Sequence, residues 1–372
     1  MEHVAPDTAL GRLLDASRAQ AASDLHGQAG KPWHLRVHGR LTQLDEAEFP
    51  VPDADALAAV LAEAFSPEFS ARIRTGREVD AAFRFRTDRY RANFSKQLGA
   101  QSFSFRIVPQ QQAALDALQL PPSLRGILDE PRGLVLLTGP TGQGKSTTAR
   151  ALLQELNLTR ALRIITIEDP VEYVFTDARS QFEQREVGLD TAAFADGIRN
   201  AMRQDPNVIF IGEIRDRESI WAGMQAAETG HLVVTTLHAD SVPQALARIR
   251  EYYPASEQPS VSALLARNLN AIVCQRLLPN VSGGRTPCVE LLRRDAGVQD
   301  AIAGHQLDLL AGLIEASVHV GMHSFDQYLL ELLAAGVITR ETAQRYAVNR
   351  HALDLQLRGI VTQRAILRPD AA

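Results

Sequence analysis

Gly139-Pro140-Thr141-Gly142-Gln143-Gly144-Lys145-Ser146 follows a short apolar run at 134–138 and precedes a helical pattern over 147–156. The stretch fits G-x-x-x-x-G-K-[ST] at every fixed position, and a strand before it and a helix after it are the context that the pattern requires. Glycines let the backbone wrap closely around a polyphosphate with its amides turned inward, and the start of a helix adds a field that favours anions. Lys145 supplies the point charge for the β- and γ-phosphates, and the Ser146 hydroxyl is a magnesium ligand. The candidate nucleotide-binding set is Gly139, Pro140, Thr141, Gly142, Gln143, Gly144, Lys145, Ser146 and Thr147. Of the 39 cationic residues only Lys31, Lys96 and Lys145 are lysine, so a lysine in the loop stands out against a strong preference for arginine. None of the three lies in N-K-x-D, the base-reading signature of GTPases, which favours ATP over GTP. A phosphate loop alone would serve a kinase, a transporter or a motor equally well.

Outward from the loop, further short apolar strands are predicted at 163–167, 208–211 and 232–236, alternating with helices as buried parallel strands do. Glu168, Asp169 and Glu172 follow the first of these, at the rim where ligands of such sheets bind. Glu213 follows the second, where an acid can hold magnesium, directly or through water, and orient the attacking water. His231 and His238 flank the third; their separation, with no cysteine nearby, fits no common zinc spacing. His238, at the catalytic end of the strand, reads as a γ-phosphate sensor. Beyond residue 243 the pattern is mostly helical, with one further strand near 287–292.

The first hundred residues differ. Helices are predicted at 8–22 and 53–75, and strands at 33–37 and 39–44 about a turn at His38-Gly39. Alternation over 82–86, 89–94 and 101–108 gives an antiparallel sheet, with Phe83, Phe85, Phe103, Phe105 and Ile107 on one face and Arg84, Arg89, Arg91 and Arg106 on the other. Residues 109–122 carry no strand pattern and read as a linker. Length and a 45% hydrophobic share allow two packed domains. A net charge of −5 gives no global basic field for nucleic acid, and no apolar run nears the roughly 18–20 residues that span a bilayer. With only Cys274 and Cys288 and no signal-like N-terminus, the chain reads as cytoplasmic with free thiols.

TGPTGQGKSTT, ITIEDPVEYVF, QREVGLD, DPNVIFIGEIRDRESI and AAETGHLVVTTLHADS occur in the order of the Walker A, Asp box, Walker B and His box segments of the type II/IV secretion ATPases, which the chain resembles over nearly its whole length. The match leans to the PilT-like branch through SDLH at 23–26, RYRANFSKQ at 89–97 and SFDQYLLELLAAGVITRETA near the C-terminus. The longer N-terminal region and four-cysteine module of the assembly ATPases are not found in this sequence. The resemblance implies an α/β fold: a PAS-like N-terminal domain over 1–110, a linker at 111–122, and a RecA-like ATPase domain with a helical C-terminal part over 123–372. It implies an ATP- and magnesium-dependent homo-hexamer that drives pilus retraction and acts on an inner-membrane platform protein. A DotB-like or conjugative secretion ATPase is the nearest alternative. A nucleic-acid translocase and a non-catalytic ATP-binding ring are those of other classes. By the same resemblance Glu168 is the base or water-orienting group, with Glu213 the second choice, and Arg89 or Arg91 reaches the γ-phosphate from another domain or subunit. Asn207 stands where the family has aspartate at the start of its Walker B strand, and residues 309–318 (LLAGLIEASV) depart from the segment associated with retraction.

Overall fold

The computed structural model describes residues 2–37, 39–108 and 114–358. The expected turn at His38 and the first part of the expected linker lie in part outside these residues. The chain divides into two compact units, one formed by residues 1–111 with 172–174 and the other by the remainder.

The first unit is built on seven strands: β1 (Glu2–Val4), β2 (Asp24–Gln28), β3 (His34–Val37), β4 (Arg40–Gln43), β5 (Val79–Phe85), β6 (Asp88–Gln97) and β7 (Ala100–Val108). Their order across the sheet is β1-β5-β6-β7-β2-β3-β4. Helices α1 (Ala9–Ala19), α2 (Ala54–Ala64) and α3 (Pro67–Thr75) contribute to the core. α1 buries Leu10, Leu13 and Leu14, one apolar stripe at helical spacing. Phe65, Phe83, Phe94 and Phe105 meet with ring centroids 5.0–5.7 Å apart in edge-on pairs. The single helix expected over 53–75 is two. Ser66 takes an extended ψ of 152° and caps α3 through its hydroxyl, and Pro67, which lacks an amide donor, opens the new helix.

The second unit holds β8 (Gly133–Thr138), β9 (Arg163–Glu168), β10 (Gln181–Glu186), β11 (Val208–Ile211), β12 (Leu232–Leu237), β13 (Leu269–Pro279) and β14 (Arg285–Arg293), in the order β10-β9-β11-β12-β8-β13-β14. All neighbours run parallel except the β13–β14 pair. The five strands β8, β9, β11, β12 and β13 are almost wholly buried, as their largely apolar composition requires. β13 was not expected from the sequence: an apolar run such as AIVCQRLL carries no period that separates a buried strand from a buried helix. Helices α4 (Lys145–Thr159), α5 (Phe194–Ala201), α6 (Arg217–Glu228), α7 (Val242–Glu251) and α8 (Gln258–Asn268) accompany the sheet. The chain continues through α9 (Ala296–Ala303), α10 (Leu310–Ala316), α11 (Phe325–Ala334), α12 (Arg340–Tyr346) and α13 (Arg350–Leu357).

Candidate active site

Because β8, β9, β11 and β12 are parallel and in register, their C-terminal ends open on one edge of the sheet. The loop from Gly139 to Gly144 leaves β8 there, and α4 begins at Lys145 with Gly144 as its left-handed cap. Glu168 ends β9, Glu213 lies two residues past β11, and His238 directly follows β12. The edge thus gathers the phosphate loop, both candidate acids and the candidate sensor.

Two glycines are dictated by contact with β13. Gly139 (φ +144°) lies so close that an added Cβ would sit 2.4 Å from the Gln275 carbonyl oxygen. At Gly144 (φ +83°) it would meet the Gln275 amide nitrogen at 2.9 Å. Lys145 is buried, and its Nζ donates to the Gly139 and Pro140 carbonyls at 2.7 and 3.0 Å. Burial pulls this ammonium below the ordinary lysine range, against the opposing charge of Glu213. Ser146 and Thr147 are exposed on the first turn of α4.

The polar groups form a chain across the strand ends. His238 Nδ1 lies 3.4 Å from Lys145 Nζ, and its Nε2 lies 2.9 Å from Glu213 Oε1. A neutral imidazole protonated on Nε2 satisfies both contacts, donating to the carboxylate and accepting from the ammonium. The other Glu213 oxygen accepts from Arg215 Nε at 3.0 Å, and Arg215 also reaches Asp169 at 3.0 Å. Burial works against the charge of Arg215, and the bonds and charges of Glu213 and Asp169 outweigh it, so the guanidinium stays above its ordinary value. Glu168 is more deeply set than Glu213: it is 5% exposed, and its Oε1 accepts from the Thr166 hydroxyl at 2.7 Å and the Gln184 amide at 3.3 Å.

Arg215, Gln275 and Asp169 belong to this constellation and were not singled out by role in the sequence. Asp169 was visible only as one acid of three; Arg215 and Gln275 occur among many similar residues and declare themselves only through register. His231 lies at the other end of β12, with Nδ1 against the Ala226 carbonyl at 2.9 Å, and takes no part. Asn207 is also remote. It precedes β11, and its Oδ1 accepts the Arg163 amide at 2.8 Å, tying the start of β9 to that of β11. Four residues of strand, about 13 Å at ~3.3 Å each, separate it from Ile211. The substitution for aspartate therefore bears on strand pairing, not on the end of the strand where Glu213 lies.

Within the first unit, Arg91 is exposed on β6 but Arg89 is buried, 6% exposed, which departs from the open arginine face expected of both. Arg106 is bonded to Asp24 at 2.7 Å. Arg84 lies opposite Arg89 in the β5–β6 register.

Residues 21–301 match the model of a family described as type II/IV secretion system protein. The chain belongs to that family. It is an ATP-hydrolysing member of it. It is 34% identical to the type IV pilus retraction ATPase PilT of Pseudomonas aeruginosa over 90% of this chain and 97% of that protein. It is 35% identical to the type IV pilus ATPase PilU of the same organism, over 93% and 91%. A crystal structure of the pilus retraction motor PilT with bound ADP matches with a TM-score of 0.84 at 35% identity, covering 92% of this chain and 97% of that one. The two sheets described above are accordingly those of an N-terminal α/β domain and a RecA-like ATPase domain, and the chain is similar to the pilus ATPases PilT and PilU. Among the described residues no helix is long and apolar enough to cross a membrane.

Proposed function

We propose that this chain powers type IV pilus retraction as a homo-hexameric ring that acts on an inner-membrane platform protein from the cytoplasmic side. The observation that carries the reading is the strand-end constellation of Lys145, Glu168, Glu213 and His238, set in a chain that is similar to PilT over 90% of its length. We assign residues 1–110 to the N-terminal domain, 111–122 to the linker and 123–372 to the ATPase domain.

Lys145 and the amides from Gly139 to Thr147 take the phosphates of ATP. Glu168, buried and with its Oε1 held by the Thr166 hydroxyl, is oriented to act on water. His238, which touches both Lys145 and Glu213, is placed to feel a change at either. A magnesium ion fits the donor set. The Ser146 hydroxyl and Glu213 carboxylate are hard oxygen donors beside the phosphate loop, and magnesium is commonly held by one or two such groups together with substrate phosphates. Among the described residues no cluster of three His, Cys, Asp or Glu side chains offers a protein-only cage. When bound, the cation would neutralise phosphate charge. Of Arg89 and Arg91, the exposed Arg91 is the one open to nucleotide held by another subunit, where such an arginine accelerates phosphoryl transfer on the order of 10³–10⁵-fold.

The test joins biochemistry to physiology. Purified protein should release phosphate from ATP and sediment as a hexamer with nucleotide, and deleting its gene should leave pili that extend but do not retract. Normal retraction in the deletion strain, with loss of effector secretion or DNA transfer instead, would transfer the motor to another machine.

A further inference from the structure

Gln275 takes part in neither the phosphate pattern nor the acidic and histidine segments, yet it is buried, 2% exposed, directly beneath the loop. Its amide is used at both ends. Nε2 donates to the Gln143 carbonyl at 2.7 Å, and Oε1 accepts from the Thr148 hydroxyl on α4 at 2.7 Å. Two residues on, the Leu277 amide donates to the Gln143 side-chain oxygen at 2.6 Å. The Gln143 carbonyl, which can only accept, fixes which end of the Gln275 amide faces the loop, and the Thr148 hydroxyl donates to the oxygen at the other end.

We propose that Gln275 is a positioning residue that sets the orientation of the Gln143–Gly144 peptide, and through it the affinity of the loop for a nucleoside polyphosphate. In a trans peptide the N–H points opposite to the C=O. With the Gln143 carbonyl drawn toward β13, the Gly144 N–H is turned away from β13, to the side left for an anion. Gly144 has a positive φ and no side chain, so little else resists rotation of this peptide. A flipped peptide would present a carbonyl where the anion needs a donor.

The inference rests on the phosphate-site reading, and the experiment separates the two. ADP binding is measured on the full chain, together with thermal unfolding in the absence of nucleotide, for wild type, Lys145→Ala, Gln275→Glu and Thr148→Val. Glutamate keeps the length of the side chain and can still accept from Thr148, but it cannot donate to the Gln143 carbonyl and repels it. Gln275→Glu should weaken ADP at least tenfold, or ~1.4 kcal/mol. Thr148→Val, which leaves Gln275 Oε1 without its hydrogen-bond partner and so loosens the hold on the amide, should weaken it about threefold. Neither loss should follow the melting temperature, as a merely structural role would require. If Lys145→Ala binds ADP like wild type, the phosphate-site reading itself fails. If Lys145→Ala loses binding while Gln275→Glu retains it within twofold, the positioning role of Gln275 is overturned. Should Gln275→Glu not fold, Thr148→Val decides, and unchanged affinity there overturns the proposal.

Discussion

Glu168→Gln separates catalysis from binding more cleanly than any other single change at this site. Glutamine keeps an oxygen able to accept from the Thr166 hydroxyl and the Gln184 amide, both of which use Oε1 of the native side chain. What is lost is charge. A hydrogen bond to a charged group contributes about 1.5–3 kcal/mol against ~0.5–1.5 for a neutral one. The lower cost of burying a neutral amide offsets part of that difference. The expected net change in stability is therefore about 1 kcal/mol or less, a melting shift of at most ~2–4 °C for a chain of this size. A positioned general base is worth roughly 10²–10⁴ in rate, or ~2.7–5.4 kcal/mol of barrier. Phosphate release at saturating ATP should thus fall at least a hundredfold while ADP affinity and melting temperature hold. Turnover within threefold of wild type would refute the assignment. If Glu213→Gln, tested alongside, then proved inactive, the catalytic role would pass to Glu213.

Lys145→Arg should abolish turnover and weaken ADP more than tenfold in an equilibrium binding assay. The ammonium fits between the Gly139 and Pro140 carbonyls in a buried pocket, and a planar fork is neither compact nor able to match that geometry. Arg91→Ala, at an exposed position of β6, should leave stability within about 0.5 kcal/mol by denaturant titration yet lower turnover. Mixed rings of Arg91→Ala and Lys145→Ala subunits should recover part of the activity, and no recovery in rings that demonstrably exchange subunits would count against action in trans. Asn207→Asp should change the ATPase rate less than twofold, because aspartate can accept the Arg163 amide as asparagine does, at the end of β11 remote from Glu213; a larger change would mean that this position is coupled to the Glu213 end of the strand.

Legibility followed the physical signal that each part carries. The phosphate loop is legible because it constrains backbone conformation, charge and local order in consecutive residues. β8, β9, β11 and β12 are legible because short apolar runs bounded by turns and helices leave few other readings. Arg89 shows the limit of alternation. It shares the polar parity of Arg91 on β6, and parity assigns a face, whereas burial depends on what packs against that face. The break between α2 and α3 was marked by Ser66-Pro67, and alanine- and leucine-rich composition on both sides obscured it. Arg215 and Gln275 were illegible for a different reason. Their partners lie 46 and 132 residues away in sequence, at Asp169 and Gln143, and only the register of the sheet brings them together.

The manner in which the charges are joined bears on how the site can work. Lys145, His238, Glu213, Arg215 and Asp169 make one continuous chain, but the Arg215 links are solvent-accessible, with that side chain 53% exposed. Exposed ion pairs of this kind contribute only about 0–1 kcal/mol each. Both Glu213 oxygens are engaged, one by His238 and one by Arg215, and each can accept a second bond, so a further partner can join these contacts or displace one of them. Displacement is energetically modest precisely where the groups are wet, and it would release His238 or Arg215 to rearrange in turn. By contrast, the contacts that hold the loop itself, from Gln275 to Gln143 and Thr148, involve a side chain almost fully removed from water, where a lost partner costs about 1–3 kcal/mol. The division is between a rigid support under the phosphate loop and an exchangeable set of charges beside it. A motor needs both: a fixed grip on the nucleotide, and partners near the γ-phosphate that change with little energy when the nucleotide changes.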